Sequence, residues 1–508
     1  MIEVRKYLTG GIWCTFVGIT GCLALPASAK APDAVSLFAT LPPGVQSSLP
    51  AQAIAGRSNK VKINRQKLRQ GRFSVSLPGG VSFDVVREQQ HEMGNGRFAW
   101  VGHASDNRDS QTVVGVSGNA VAATFYYRKK LFKLEPRANG THILSEVKAT
   151  EPAPEIEPIP VGDAGNSIPI PGKATTTTTT SSGPVIDVLV AYTPAIRALY
   201  GAEGADAMII QAVAETNQAY VNSGMNTRLN LVKSVMTNYT ESGNMTTDLG
   251  RLRNTGDGYM DELHALRNTY GADLVSLIEN DPQYCGIAYR MTSLSTSFAS
   301  NAFSVIHHDC ATGYYSFAHE LGHNQGAHHD PASGATGAIY PYAYGYQDPS
   351  RAFRTIMAYD CPGGCPRIPH FSNAQINWNG RPTGYLGAAE NALAIMATDD
   401  TVAAFRQAVA QPPQSAPSNL KVIAINGATI DLGWTDNSSN ESGFYLERSD
   451  DGETFTQIAS LPANTTHYID DGLLLATLYS YRIMAWNSTG TTAYSDELFA
   501  AISRPPGC

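Results

Sequence analysis

Twelve residues, His319-Glu-Leu-Gly-His-Asn-Gln-Gly-Ala-His-His-Asp330, constrain this chain more than any other stretch. On a helix, His319 and His323 stand four residues apart and lie one above the other on a single face. Glu320 is turned about 100° from them, beside whatever they grip rather than bonded to it. Gly326 supplies the left-handed turn that ends a helix, and the returning chain can bring His329 to the same point. Three imidazole nitrogens with one position left open suit a catalytic zinc ion and a water; a structural site is closed by four ligands. By its spacing from Gly326, His328 reads as a solvated or supporting neighbour. A surface helix that merely carries histidines is the bland alternative, and it leaves Gly326 and His329 at these offsets unaccounted for.

The order His319-Glu320-x-x-His323-x-x-Gly326-x-x-His329-Asp330, followed by Met357 in Thr355-Ile-Met-Ala-Tyr359, resembles the metzincin zinc endopeptidases. Asp330 is similar to the residue that follows the third histidine in the reprolysin branch and in the bacterial reprolysin-like and peptidyl-Asp peptidases. The likeness extends, more weakly, from about Val185 to Ala410. It implies one catalytic Zn2+ held by His319, His323 and His329, with Glu320 as general base and Met357 as an apolar floor under the imidazoles. Tyr359 stands two residues after the methionine, as in astacins and serralysins, and the resemblance gives it a role in stabilising the oxyanion; a tyrosine packed in the turn is the alternative. No residue pattern supports a structural Ca2+. Cleavage beside Asp is a further expectation, and Arg290 is the basic side chain best placed by sequence to meet such a substrate.

At 508 residues the chain is too long for one ordinary domain. Residues 1–29 read as a signal peptide: Arg5 and Lys6 precede an apolar run that ends in Ala27-Ser-Ala29. Ile19-Thr-Gly-Cys22 offers the competing reading of a lipid-anchored Cys22. Both make the chain exported, and no further apolar run is long enough to span a membrane. Residues 30–150 look like a folded, β-rich prosegment, with alternating strands such as Phe73–Leu77, Val81–Val86 and Ala120–Tyr127. Residues 151–183 are Pro-rich and end in six threonines, the composition of a flexible linker suited to proteolytic removal.

Strands and helices alternate over residues 184–410, the pattern of an α/β unit. Strands are expected at Val185–Tyr192, Leu229–Val235, Ala272–Ile278 and Phe303–Ile306. Helices are expected over 203–222, from the end of the second strand to about Tyr270, and over 389–408. Ile287–Arg290 is the expected edge strand, where an extended substrate could add as a further strand. Residues 416–503 are strands with alternating faces, and they resemble a fibronectin type III sandwich with Trp434 as core anchor and Tyr479 as the corner tyrosine. The expected architecture is therefore an α/β metzincin-type catalytic domain, a mixed twisted sheet plus helices. It lies between a β-rich N-terminal prosegment and a C-terminal all-β fibronectin type III sandwich.

Charge is unevenly spread. Residues 30–183 carry a net +6 and residues 184–508 a net −15, within a whole-chain −8. That balance argues against nucleic acid or an anionic membrane as partner. It also suggests that a basic leader associates with an acidic enzyme as its inhibitor, the run Arg57–Arg72 being a candidate docking surface. No cysteine lies between 30 and 183, so a cysteine-to-zinc latch is excluded. A carboxylate, His91 or His103, or plain steric blockage remain. Cys285, Cys310, Cys361 and Cys365 should form two disulfides in an oxidising compartment, by any of three pairings, Cys285–Cys310 with Cys361–Cys365 being the simplest. Cys508 has no evident partner.

The reading is a secreted, zymogen-type zinc endopeptidase acting on polypeptides, whose fibronectin type III domain spaces the enzyme or binds a polymeric or surface partner. An adhesin with a relic protease domain would show damage at Glu320 or at a histidine, and none is present. A zinc hydrolase of a non-peptide amide stays open, although the edge strand and the resemblance favour peptides.

Overall fold

The computed structural model describes residues 37–40, 53–68, 70–94, 96–148, 152–162, 183–407, 415–438, 440–487 and 490–502. The expected signal peptide with Cys22, the six-threonine run and Cys508 lie outside the described residues.

The amino-terminal unit is one antiparallel sheet of nine strands. Its order is Phe38–Thr40, Ala53–Ile63, His142–Val147, Lys130–Pro136, Ala120–Tyr127, Asn107–Ser117, Phe98–Ala104, Val81–Glu92 and Arg72–Leu77. One face closes over Phe73, Trp100, Phe125 and Phe132. The other lies on the long helix Pro194–Asn222 of the next unit, so closely that a Cβ on Gly115 would come 2.1 Å from the Ala207 carbonyl.

The central unit is built on a six-stranded sheet ordered Ile159–Val161, Gly286–Met291, Phe303–His307, Leu274–Glu279, Val185–Tyr192 and Arg228–Met236. Its four inner and far strands are mutually parallel, and Gly286–Met291 runs antiparallel to Phe303–His307. Continuous apolar runs such as Val188-Leu-Val-Ala191 are fully buried, as expected of strands covered on both faces. Helix Pro194–Asn222 starts nine residues before the expected 203, capped by Thr193 with Pro194 in its first turn. Gly201, at φ 72°, interrupts it and hides the longer helix from a periodicity reading. The expected second long helix is two, Met245–Arg253 and Asp261–Tyr270. The break falls at Asn254-Thr-Gly-Asp-Gly-Tyr-Met260, where Gly256, Gly258 and Met260 all take positive φ. The closing helix is shorter than expected, Asn391–Val402.

Two disulfides join Cys285 to Cys310 and Cys361 to Cys365. The first anchors the start of the edge strand to the segment just before the histidine helix. The second closes the loop after Met357.

The carboxy-terminal unit is an all-β sandwich. One sheet holds Ser418–Asn426, Thr429–Thr435 and His467–Asp470; the other holds Thr456–Pro462, Gly443–Ser449, Leu478–Asn487, Gly490–Thr491 and Leu498–Ala501. Trp434 packs on Phe444 between them, and the Tyr479 hydroxyl accepts from the backbone N–H of Leu474 at 2.9 Å, the corner contact expected of it. Among the described residues, no helix is long and apolar enough to cross a membrane.

Candidate metal centre and its cleft

Helix Ser316–Asn324 carries His319, Glu320 and His323. Asn324 secures it to the sheet by donating to the carbonyls of Tyr289 on the edge strand and Phe303 on its neighbour. Gln325 ends the helix, Gly326 turns at φ 88° against Ile339, and the chain returns with His329. The three Nε2 atoms of His319, His323 and His329 then stand 3.0–3.1 Å from one another, and all three side chains are buried.

The outward nitrogens decide what that cluster can do. His319 Nδ1 donates to the Ile356 carbonyl at 2.8 Å, and His323 Nδ1 to the Ala327 carbonyl at 2.9 Å. His329 Nδ1 meets a carboxylate oxygen of Glu157 at 3.3 Å. Each acceptor fixes the proton on Nδ1, so each Nε2 presents a bare lone pair. Burial lowers the His319 pKa to about 3, and burial with the neighbouring imidazoles takes His323 well below the usual range, so neither carries the missing proton. Three converging lone pairs repel unless a cation sits among them. Nitrogens bound at ~2.0–2.1 Å around a tetrahedral zinc lie roughly 3.3 Å apart, so the donor set fits such an ion.

Glu320 is buried beside the cluster, and burial, then Glu155, push its pKa well above the usual carboxylate range. Met357 lies under the helix, its sulfur where a Cβ on Gly322 would meet it at 2.6 Å. Tyr359 packs against His329 with ring centroids 4.1 Å apart and ring planes tilted by 40°, and its hydroxyl donates to Glu157 at 3.4 Å. Asp330 ties the two loops together: Oδ2 accepts from the Tyr359 backbone N–H and Oδ1 from that of Ser333.

His328 lies beside His329, with ring centroids 5.4 Å apart, and bonds the Thr336 carbonyl through Nε2. His308 accepts from Tyr200 at 2.7 Å and bonds Asn280, with no part in the cluster. His91 meets Gln89 and His103 meets Glu88. Asp248, Glu279 and Asp281 form a separate group with oxygens within 4.8 Å of one another, a feature sequence reading did not single out.

Three features of the cleft escaped the sequence. The segment expected to be a flexible linker is a strand over Ile159–Val161, paired parallel to the edge strand with Pro160 opposite Arg290. Backbone bonds from Cys285 N–H to Pro154 O and from Thr292 N–H to Val161 O extend the contact along the whole edge. In this register Glu155 lands in the site. One of its oxygens is 2.7 Å from Arg367 Nη2, and the other is 3.7 Å from His319 Nε2. Burial would raise its pKa, but His319 and Arg367 outweigh that and bring it down to about 2. The expected docking run pairs inward instead: Arg57 with Glu146, Arg65 with the Gly118 carbonyl and Arg72 with Asp84. Contact with the central unit is made by Arg97 on Asp206, at 2.7 and 2.8 Å, Lys133 on the Asp309 carbonyl and Thr124 on Glu215. No local pattern marks these residues, because each contact joins the amino-terminal unit to a helical residue far off in sequence.

Residues 183–372 match the model of metallo-peptidase family M12, and residues 415–501 match that of the fibronectin type III domain. A peptidyl-Asp metalloendopeptidase of Stenotrophomonas maltophilia is 38% identical over 395 residues, 76% of this chain and 88% of that one. Another, of Xanthomonas campestris pv. campestris, is 35% identical over 422 residues, 77% of this chain and 99% of its own. A third, of Pseudomonas fragi, is 38% identical over 193 residues, 38% of this chain and 100% of its own.

Proposed function

Since the chain belongs to the peptidyl-Asp metalloendopeptidase family, we propose that it is an exported, metzincin-type zinc endopeptidase, made as a zymogen, that cleaves peptide bonds beside aspartate. The observation that carries the reading is the triangle of Nε2 atoms at 3.0–3.1 Å with Glu320 buried beside it. His319, His323 and His329 would hold the zinc. When bound, the ion supplies Lewis acidity to water and to a carbonyl oxygen.

The chain's own residues do the rest. Glu320 takes the proton of the attacking water as general base and returns it to the leaving amine. Tyr359, once its hydroxyl leaves Glu157, donates to the oxyanion that develops on the scissile carbonyl. The edge strand Gly286–Met291 offers its backbone to an extended substrate. No acyl-enzyme is required, since water is the nucleophile.

Latency follows from occupancy of that same edge. In the full chain residues 152–162 fill the cleft, with Glu155 facing the triad and Glu157 engaging both His329 and Tyr359. The parallel ladder is the weaker kind per residue, which suits a segment that must leave. Export rests on Arg5, Lys6 and Ala27-Ser-Ala29. The fibronectin type III domain carries no comparable cluster among its described residues, and its proposed part is to space or tether the enzyme.

The test is to incubate enzyme matured from the full chain with a proteome-derived peptide library, with and without a chelator. Chelator-sensitive cleavage flanking Asp is expected. If no peptide is cut, the peptidase reading is lost.

A further inference from the structure

Arg367 follows the Cys361–Cys365 loop, and its guanidinium lies between the two elements that hold the triad. Nη1 donates to the Tyr314 carbonyl, just before the histidine helix, at 2.9 Å. Nη2 reaches the Ala358 carbonyl, beside Met357, at 3.3 Å. The side chain is only 2% exposed. Held this way, the fork cannot swing out to solvent, and its Nη2 faces Glu155 at 2.7 Å. The other Glu155 oxygen is buried, has no hydrogen-bond partner and faces His319 Nε2 at 3.7 Å. One carboxylate thus spans the gap between a fixed cation and the candidate metal centre.

A buried guanidinium is stable where it meets an anion in the right plane, and is strongly disfavoured when that anion is taken away. Glu155 belongs to the amino-terminal segment, not to the catalytic unit. Removing the segment takes this carboxylate from Arg367 and opens its place to the cleft. A substrate with its scissile carbonyl at the triad can refill that place. The carboxyl carbon of an adjoining aspartate lies roughly 3–5 Å from the scissile carbonyl carbon, by ordinary bond lengths. A carboxylate at the Glu155 position is within that reach. Arg290, the candidate from sequence, sits in the edge strand with Nη1 committed to the Gly337 carbonyl at 2.8 Å.

We propose that Arg367 is the specificity-determining residue: it binds the aspartate carboxylate flanking the scissile bond, in the place that Glu155 occupies in the full chain. This rests on the reading of the chain as an Asp-directed endopeptidase. An Asn at the same substrate position leaves the cation facing an uncharged amide, and sites built around a buried polar partner reject such analogues strongly.

The experiment compares kcat/KM for two peptides that differ only by Asp or Asn at the flanking position. It uses wild type, Arg367→Lys, Arg367→Gln and Arg290→Gln, each matured from the full chain. Wild type should favour Asp by about 100-fold or more. Arg367→Gln should bring the ratio close to one; Arg367→Lys, keeping the charge without the fork, should fall between. An equal loss on both peptides would mark a merely structural role and overturn the proposal. So would a preference that survives in Arg367→Gln or is lost only in Arg290→Gln. Wild-type cleavage indifferent to Asp would instead sink the Asp-directed reading, and no cleavage at all the peptidase reading.

Binding of a synthetic peptide of residues 152–162 to the matured enzymes, followed by calorimetry, gives a readout free of turnover. Glu155→Gln in the peptide should weaken binding about tenfold or more to wild type and scarcely at all to Arg367→Gln. The same weakening in both enzymes would overturn the pairing.

Discussion

Gly286 lies flat against Glu320: a Cβ at Gly286 would come 2.5 Å from the Glu320 Oε1 atom. The first residue of the edge strand therefore sets where the proposed base can stand. Gly286→Ala should leave fold and zinc content intact while displacing the carboxylate, with a loss in kcat/KM on the order of 100-fold, as small misplacements of a base produce. Metal analysis and peptide kinetics on the same preparation check this. Full activity in Gly286→Ala would mean that Glu320 has room the structure denies it.

Glu320→Gln tests the role of the carboxylate itself. The amide keeps the shape and the three imidazoles, so one zinc per chain should remain, while cleavage falls roughly 10²–10⁴-fold through loss of the base. Loss of zinc in parallel with activity would show that Glu320 had been given the wrong task.

Metal removal should destabilise the catalytic unit. Without a cation, the bare Nε2 lone pairs of His319, His323 and His329 face one another at 3.0–3.1 Å. A ligand that binds only the folded state adds about 1.4 kcal/mol for each tenfold rise in free concentration above its Kd. Melting temperature should therefore climb with free zinc in buffered titrations, and His323→Ala should flatten the climb. A wild-type melting curve indifferent to zinc would remove the metal from the account.

Acid should loosen the amino-terminal sheet through His142. Its Nε2 accepts from the Val121 backbone N–H at 3.1 Å, and burial, then Arg137 and Arg65, hold its pKa down to about 4. Between 6.5 and about 4 the unfolded chain takes up a proton that the folded chain refuses. Stability present above pH 6.5 is thus lost as pH falls through that window. His142→Gln, which keeps an acceptor but does not titrate, should lose less over the same range. Denaturation midpoints of the two proteins from about pH 7 to about pH 4 decide it; parallel curves would acquit His142.

The strands Val185–Tyr192 and Ala120–Tyr127 agree with the sequence reading to the residue, because apolar runs and alternation are local signals that burial then reinforces. The helices were less legible. Gly201 hid the start of one, and Gly256 with Gly258 split another, since periodicity averages across a single left-handed residue. In the cleft, the convergence of His319, His323 and His329 could be read from spacing alone, as their offsets are those of one helical face and one tight turn. Glu155 and Arg367 could not: they are 212 positions apart, and neither sits in a pattern that names the other.

By itself, then, the sequence determined the chemistry a single helix and its following turn can assemble: three imidazoles, a carboxylate and the turn that brings the last ligand round. Only the tertiary structure decided what lies against them. A Pro-rich stretch, which composition alone makes a loose connector, becomes a strand because the edge Gly286–Met291 offers unpaired backbone groups that must be satisfied. Once that register is set, Glu155 falls between His319 and Arg367. Backbone hydrogen bonding is indifferent to side-chain identity, which is why no motif announces it.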